Sequence, residues 1–108
     1  MNYEVALSDV FKKEAKRLIK KYPSLKPELE VLGAKLSEDP FYGTPLGNDV
    51  YKIRLAIASK GKGKSGGARI ISFVKVIQLK VILLSIYNKG ERNSISDKEI
   101  KALLKEYL

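Results

Sequence analysis

The apolar residues of this chain change their spacing in mid-chain, and that change governs what it can fold into. From Phe11 to Leu36 they recur at helical intervals, and from Val50 to Ala58 they alternate residue by residue. The first rhythm belongs to helices with one buried stripe, the second to strands with one buried face. Ser8 is an N-cap for a first helix whose apolar positions are Phe11, Ala15, Leu18, Ile19 and Tyr22. Lys12, Lys13, Lys16, Arg17, Lys20 and Lys21 occupy its other side. Pro23 ends this helix, because the residue before a proline is pushed out of the helical region. A second helix from about Ser24 tolerates Pro27 in its first turn and buries Leu25, Leu29, Leu32 and Leu36 before stopping at Asp39-Pro40. Joined so closely, the two helices form an antiparallel hairpin.

Asn2 to Leu7, ahead of the helices, alternates weakly and makes a short strand. Phe41 to Asp49 (FYGTPLGND) is rich in turn formers and reads as a connecting loop. In Val50 to Ala58, Ile53, Leu55 and Ile57 alternate against Lys52, Arg54, Ala56 and Ala58, so Lys52 and Arg54 share a face. A second strand runs from about Ala68 to Val76. After a turn near Gln78 a third, Leu79 to Tyr87, is apolar on both faces and therefore interior. Ser96-Asp-Lys-Glu99 is a capping box opening a last helix with Ile100, Leu103, Leu104 and Tyr107 on one side. The expected order is βααβββα. This is an α+β fold, with a helical hairpin packed on a small, mostly antiparallel β-sheet, and residues 1–108 form one domain.

Ala58-Ser-Lys-Gly-Lys-Gly-Lys-Ser65 fits a phosphate-binding P-loop if Ala58 stands for the first glycine. A P-loop must open into a helix, whose N-terminus helps bind the phosphates. Here the β-branched stretch Ala68 to Val76 follows, so the loop reads as the basic, mobile tip of a hairpin, and no nucleotide cofactor is expected. The chain has no His and no Cys, which removes the usual zinc sites, a cysteine nucleophile and a histidine general base. No metal or other cofactor is expected. The longest apolar run, Val76 to Tyr87, is interrupted by Gln78, Lys80 and Ser85 and is too short to span a membrane. The first residues lack the pattern of a secretory signal, and the absence of Cys fits a reducing, cytoplasmic setting.

The net charge of +9 is localised. No Asp or Glu occurs between Val50 and Gly90, whereas Lys52, Arg54, Lys60, Lys62, Lys64, Arg69, Lys75, Lys80 and Lys89 all do. The remaining basic and acidic residues number 12 each and cancel, so the whole excess lies in one segment, as a polyanion-binding face would have it. Lys60, Lys62 and Lys64 in the loop, with Lys75 and Lys80, are candidate RNA-backbone contacts. Pairing of the three strands brings Lys52, Arg54, Arg69, Tyr87 and Lys89 toward one surface as candidate catalytic groups. Arginine holds a phosphate bidentately, while lysine or tyrosine can move a proton if neighbouring cations lower its pKa. Such a set deprotonates an RNA 2′-hydroxyl, stabilises the phosphorane-like transition state and protonates the leaving oxygen. Each member has an ordinary alternative. Lys52 and Arg54 suit a solvent-facing strand, and Tyr87 suits packing at a sheet end. Arg69, between Gly-Gly-Ala and an apolar run, is the least explained by packing.

With these residues the chain resembles the RelE/ParE superfamily of toxins from bacterial type II toxin–antitoxin pairs. The resemblance rests on Lys20-Lys-Tyr-Pro-Ser24, Leu46-Gly47, Tyr51-Lys-Ile-Arg-Leu55, Gly66-Gly-Ala-Arg-Ile70, Leu83-Leu-Ser-Ile-Tyr-Asn-Lys89 and Ile95-Ser-Asp-Lys-Glu-Ile100. The string Lys-Ser-Gly-Gly-Ala-Arg is closest to a RelE-like subgroup. It implies a microbial RNase-like fold, ribosome-dependent mRNA cleavage that inhibits translation, and a partly acidic antitoxin that wraps the basic surface. It also implies phosphate binding by Lys52, Arg54 and Arg69, and proton transfer by Tyr87 or Lys89. Some relatives use a His or Glu near that point. This chain has neither there, and Lys52 and Tyr87 are its candidate general bases. Two other classes fit the same residues: a ParE-like inhibitor of DNA gyrase, and a non-enzymatic basic module that only contacts phosphates.

Overall fold

Both helices of the hairpin form where the apolar spacing places them. The computed structural model describes residues 2–108. It comprises β1 (Glu4–Leu7), α1 (Asp9–Lys21), α2 (Leu25–Glu38), β2 (Thr44–Gly47), β3 (Val50–Leu55), β4 (Ala68–Lys75), β5 (Lys80–Asn88) and α3 (Asp97–Leu104). Ser8 caps α1 as expected, its Oγ accepting from Phe11 N at 3.0 Å while donating to Leu84 O at 2.9 Å. One hydroxyl thus starts the helix and pins it to the sheet. The capping box of α3 is complete, with Ser96 Oγ accepting from Glu99 N and the Glu99 carboxylate from Ser96 N.

The sheet has five strands in the order β1-β5-β4-β3-β2. Only β1 against β5 is parallel, and the other pairs are antiparallel. The fifth strand corrects the expectation of a plain loop at 41–49, because Thr44–Gly47 pairs with β3 through a turn at Gly47, Asn48 and Asp49. Those three residues all have positive φ (92°, 54° and 62°), the left-handed geometry that Gly, Asn and Asp accept. Four residues are too few for a visible period, and Pro45 is tolerated because β2 is an edge strand.

Two cores sandwich the sheet. On one face α1 and α2 bury Phe11, Leu18, Leu25 and Leu36 against Ile53, Ile57, Ile70, Val81 and Ile86. On the other, α3 brings Ile100 and Leu104 onto Val50, Ile71, Phe73, Ile82 and Leu84. Strands β4 and β5 are covered on both sides, which is why apolar residues occupy both of their faces. No helix is long and apolar enough to cross a membrane among the described residues.

Candidate active site

Cross-strand register builds the site. Arg54 of β3 lies directly opposite Arg69 of β4, and Arg69 lies opposite Tyr87 of β5. Lys52, two residues from Arg54, projects to the same face, as does Val50 of the α3-side core. The phase that puts Tyr87 in this row comes from a β-bulge. Ile71 pairs with Ser85 but Ser72 pairs with Leu83, so β5 holds one extra residue. Below the bulge Ile82 and Leu84 face α3; above it Ile86 faces the helical hairpin, leaving Tyr87 beside Arg69 on the α3 side. An unbroken alternation would have turned Tyr87 into the hairpin core.

The row is graded in depth. Tyr87 is 4% exposed and Arg69 5%, whereas Arg54 is open to solvent. A shallow groove of about 350 Å³ beside Arg54 is lined by Tyr42, Gly43, Thr44, Lys52, Arg54 and Lys64. Burial lowers the Arg69 pKa, and the adjacent Arg54 charge lowers it further. The Tyr87 phenol moves the other way from the expected depression. Burial raises its pKa and outweighs the pull of Arg69, Arg92 and Arg54. Tyr87 therefore keeps its phenolic proton at neutral pH.

Arg69 also organises the glycine-rich loop. Its Nη1 donates to Lys64 O (2.7 Å) and Ala68 O (3.1 Å), and its Nη2 to Ser65 O (3.4 Å). Three of the five guanidinium donors are thereby engaged. The loop is further held at its other end, with Ala58 N donating to Glu28 Oε2 (2.8 Å) and Ser59 N to Ser24 Oγ (2.9 Å). It is not the free tip expected from KGKGK. Two short 3₁₀ turns, Ala58–Lys60 and Lys64–Gly66, lead into β4, and no helix follows as a P-loop would require. Gly67 is indispensable there, since a Cβ would stand 2.1 Å from Leu55 O.

The remaining basic residues separate. Lys62 and Lys64 are exposed on the loop near the row, but Lys60 turns inward, its Nζ donating to the buried Asn88 Oδ1. Lys75 and Lys80 face each other at the opposite end of β4 and β5, about 20 Å from Arg69 at the usual strand rise. There Lys75 Nζ donates to Tyr107 O at 2.6 Å. Lys89 sits just past β5 and donates to Asn93 O at 2.9 Å. Arg92 and Glu99 were not picked out from sequence. The Arg92 guanidinium lies 5.4 Å from the Tyr87 ring centroid and pairs with Glu99 at 2.5 Å. Arg92 lies beyond the acid-free window, and the signal for Glu99 was absorbed by its capping role. Among the described residues no three acidic, His or Cys side chains gather as a metal site would require.

The family model for the RelE toxin of the RelE/RelB toxin–antitoxin system matches residues 8–107. The chain belongs to the RelE toxin family. Its fold matches that of the free E. coli toxin RelE, in a double arginine-to-alanine mutant, with a TM-score of 0.67 at 19% identity over 100% of both chains. It also matches the intact E. coli RelBE toxin–antitoxin complex (TM-score 0.60, 19% identity, 80% of this chain and 95% of that one). The RelBE2 toxin–antitoxin complex of Mycobacterium tuberculosis gives 0.59 at 16% identity, covering 82% and 92%. At these identities the likeness is one of fold. This RelE toxin therefore has the architecture expected from its motifs, with one strand more than the sequence reading supplied.

Proposed function

We propose that this RelE toxin is a cytoplasmic, ribosome-dependent endoribonuclease that cleaves mRNA and halts translation, and that a partly acidic antitoxin restrains it. One observation carries the reading. Arg54 and Arg69 are directly opposed on neighbouring strands, and neither is in an ion pair among the described residues. Like charges so placed destabilise a sheet, and although its backbone hydrogen bonds give Arg69 a role in folding, nothing in the fold calls for a second arginine opposite it. A phosphate between them does.

In the cleavage step the neutral amine form of Lys52 accepts the proton of the RNA 2′-hydroxyl as that oxygen attacks the adjacent phosphorus. Arg54 and the two uncommitted donors of Arg69 hold the phosphate oxygens as negative charge builds. Tyr87, kept as a phenol by burial, gives its proton to the departing 5′-oxygen. The product ends are a cyclic phosphate and a 5′-hydroxyl, and no metal or cofactor is invoked. Lys62 and Lys64 attract the RNA backbone, and Lys89, two residues beyond Tyr87, is a further candidate for proton transfer. The Lys75 and Lys80 pair, at the far end of the sheet, is assigned no part in this step.

Replacement of Arg69 with Ala would also release two loop hydrogen bonds and one to Ala68 O, so the sharper test is Arg69→Lys with Lys52→Ala beside it. Both should abolish growth inhibition and the new mRNA 5′ ends that the parent generates in cells. A DNA-damage response with intact mRNA would sink the ribonuclease reading and favour a gyrase target. Salt-sensitive RNA binding without cleavage on ribosomes would leave only the binding module.

A further inference from the structure

The Arg54–Arg69–Tyr87 row has an aromatic neighbour that the cleavage step does not use. Tyr42 lines the groove of about 350 Å³ beside Arg54, together with Gly43, Thr44, Lys52 and Lys64. It lies between α2 and β2, and two contacts fix it there. Lys35 of α2 stands over its ring, with Nζ 4.6 Å from the centroid. Gly43, the next residue, is pressed onto β3, where a Cβ would stand 2.7 Å from Lys52 O and 3.0 Å from Ile53 Cγ1. Only glycine allows so close an approach, and it holds Tyr42 in one groove with Lys52.

Thr44 adds a hydroxyl. It pairs with Lys52 across β2 and β3, so the two side chains project from the same face of the sheet. Thr44 is solvent-exposed, as Arg54 and Lys64 are. The groove thus offers an aromatic ring, a hydroxyl and three cations, Lys52, Arg54 and Lys64, none of them in an ion pair among the described residues. Packing accounts for part of Tyr42, whose ring rests against the hairpin-side core. That packing leaves it half-buried, and its open part belongs to the groove wall. Single-stranded RNA is held by this combination, in which cations follow the backbone while exposed rings stack the bases.

We propose that Tyr42 and Thr44 form the subsite for the nucleoside on the 5′ side of the scissile phosphate, the ring stacking on its base and the Thr44 hydroxyl bonding to the base edge. This subsite rests on the ribonuclease reading and gives it a direction. In that step Lys52 takes the proton of the attacking 2′-hydroxyl, and Tyr87 protonates the departing 5′-oxygen. The strand order puts Thr44 of β2 next to Lys52 and Tyr87 at the other end of the row. The nucleoside that carries the 2′-hydroxyl therefore lies toward β2, against Tyr42, and the RNA runs 5′ to 3′ from β2 to β5. The hydroxyl makes that position selective, because a group placed to hydrogen-bond a base disfavours one that lacks the matching atom.

The test uses the purified full chain, with nucleoside 3′-monophosphates, nucleoside 5′-monophosphates and inorganic phosphate as probes in calorimetric titrations. A 3′-monophosphate carries base and phosphate in the order the groove requires. The tightest of them should bind about tenfold better than inorganic phosphate, and better than its own 5′ isomer. Tyr42→Leu keeps the apolar bulk and should remove that tenfold advantage while inorganic phosphate binds as before; Tyr42→Phe should retain it. Thr44→Val should even out the affinities for the different bases. In cells, mapped mRNA 5′ ends should show a nucleotide preference immediately upstream of the cut that relaxes in Thr44→Val, whereas Arg54→Gln should lower cutting at all sites alike. Equal binding of 3′-monophosphates and inorganic phosphate by the parent overturns the proposal, as does Tyr42→Leu binding like the parent. So does tighter binding of the 5′ isomers, or an upstream preference that Thr44→Val leaves in place. If Arg54→Gln binds inorganic phosphate as tightly as the parent, the ribonuclease reading of the row fails, and the Tyr42 variants still decide whether a base stacks in the groove.

Discussion

Replacing Arg54 with Gln should make the protein more stable and less active at once. Arg54 faces Arg69 across β3 and β4, and Arg69 is held in place by two hydrogen bonds to the loop and one to Ala68 O, so it cannot swing away. Like charges opposed on neighbouring strands cost up to about 1 kcal/mol. Arg54 is solvent-exposed, and about 0.5 kcal/mol is the appropriate share after screening. In a chain of 108 residues that corresponds to a rise in Tm of about 2–4 °C. The gain should vanish near 1 M salt, where the Debye length falls to about 3 Å. Inorganic phosphate should stabilise the parent and leave Arg54→Gln much less affected. Losing one charge-assisted contact to the reacting phosphate removes about 1.5–3 kcal/mol, or about 10- to 150-fold in cleavage rate. Calorimetry at low and high salt, followed by single-turnover cleavage on programmed ribosomes, measures both. A variant less stable than its parent at low salt would show that the pair is not repulsive. Cleavage within about threefold of the parent would remove Arg54 from the site.

Three further outcomes follow from the geometry. Burial raises the Tyr87 pKa above its ordinary value of 10.0, so its contribution is present below pH 10 and lost as pH rises toward the folded-state value. Denaturant melts of the parent should therefore lose more stability above pH 10 than melts of Tyr87→Phe; parallel curves would contradict the burial argument. Gly67→Ala drives a Cβ to 2.1 Å from Leu55 O and should cost about 2 kcal/mol or more in urea unfolding, with the loss concentrated where the loop enters β4. Glu28→Ala strips the acceptor from Ala58 N, and amide exchange should quicken at Ala58 while β4 and β5 stay protected.

Much of the α1/α2 hairpin was legible because each of its signals is local. Ser8, Pro23 and the leucine spacing act within one or two turns, and α1 and α2 end within about two residues of where those signals fall. Strand β2 was not legible, since its four residues include a Pro and a Gly and take their order from pairing with β3. Within the candidate site, the shared face of Lys52 and Arg54 could be read from alternation alone. The partnership of Arg54 with Arg69 required the register of two strands separated by a loop of twelve residues, 56–67. The place of Arg92 beside the site is not local in the sequence, because its neighbours in space, Tyr87 and Glu99, are five and seven residues away in the chain.

By itself the sequence determined the helix and strand periods, the caps, the acid-free basic segment and the family motifs, all of which follow from residues near one another in the chain. The tertiary structure decided which of those cations act together. It turned Lys60 inward to Asn88, sent Lys75 and Lys80 to the far end of the sheet, and bound Arg69 to its own loop. It also set Tyr87 in the row and raised its pKa where an open cluster of cations would have lowered it. The physical reason is common to all four. Face and charge pattern repeat with the local backbone, but a bulge in β5 and the depth at which a phenol is buried depend on chain segments that meet only when the sheet closes.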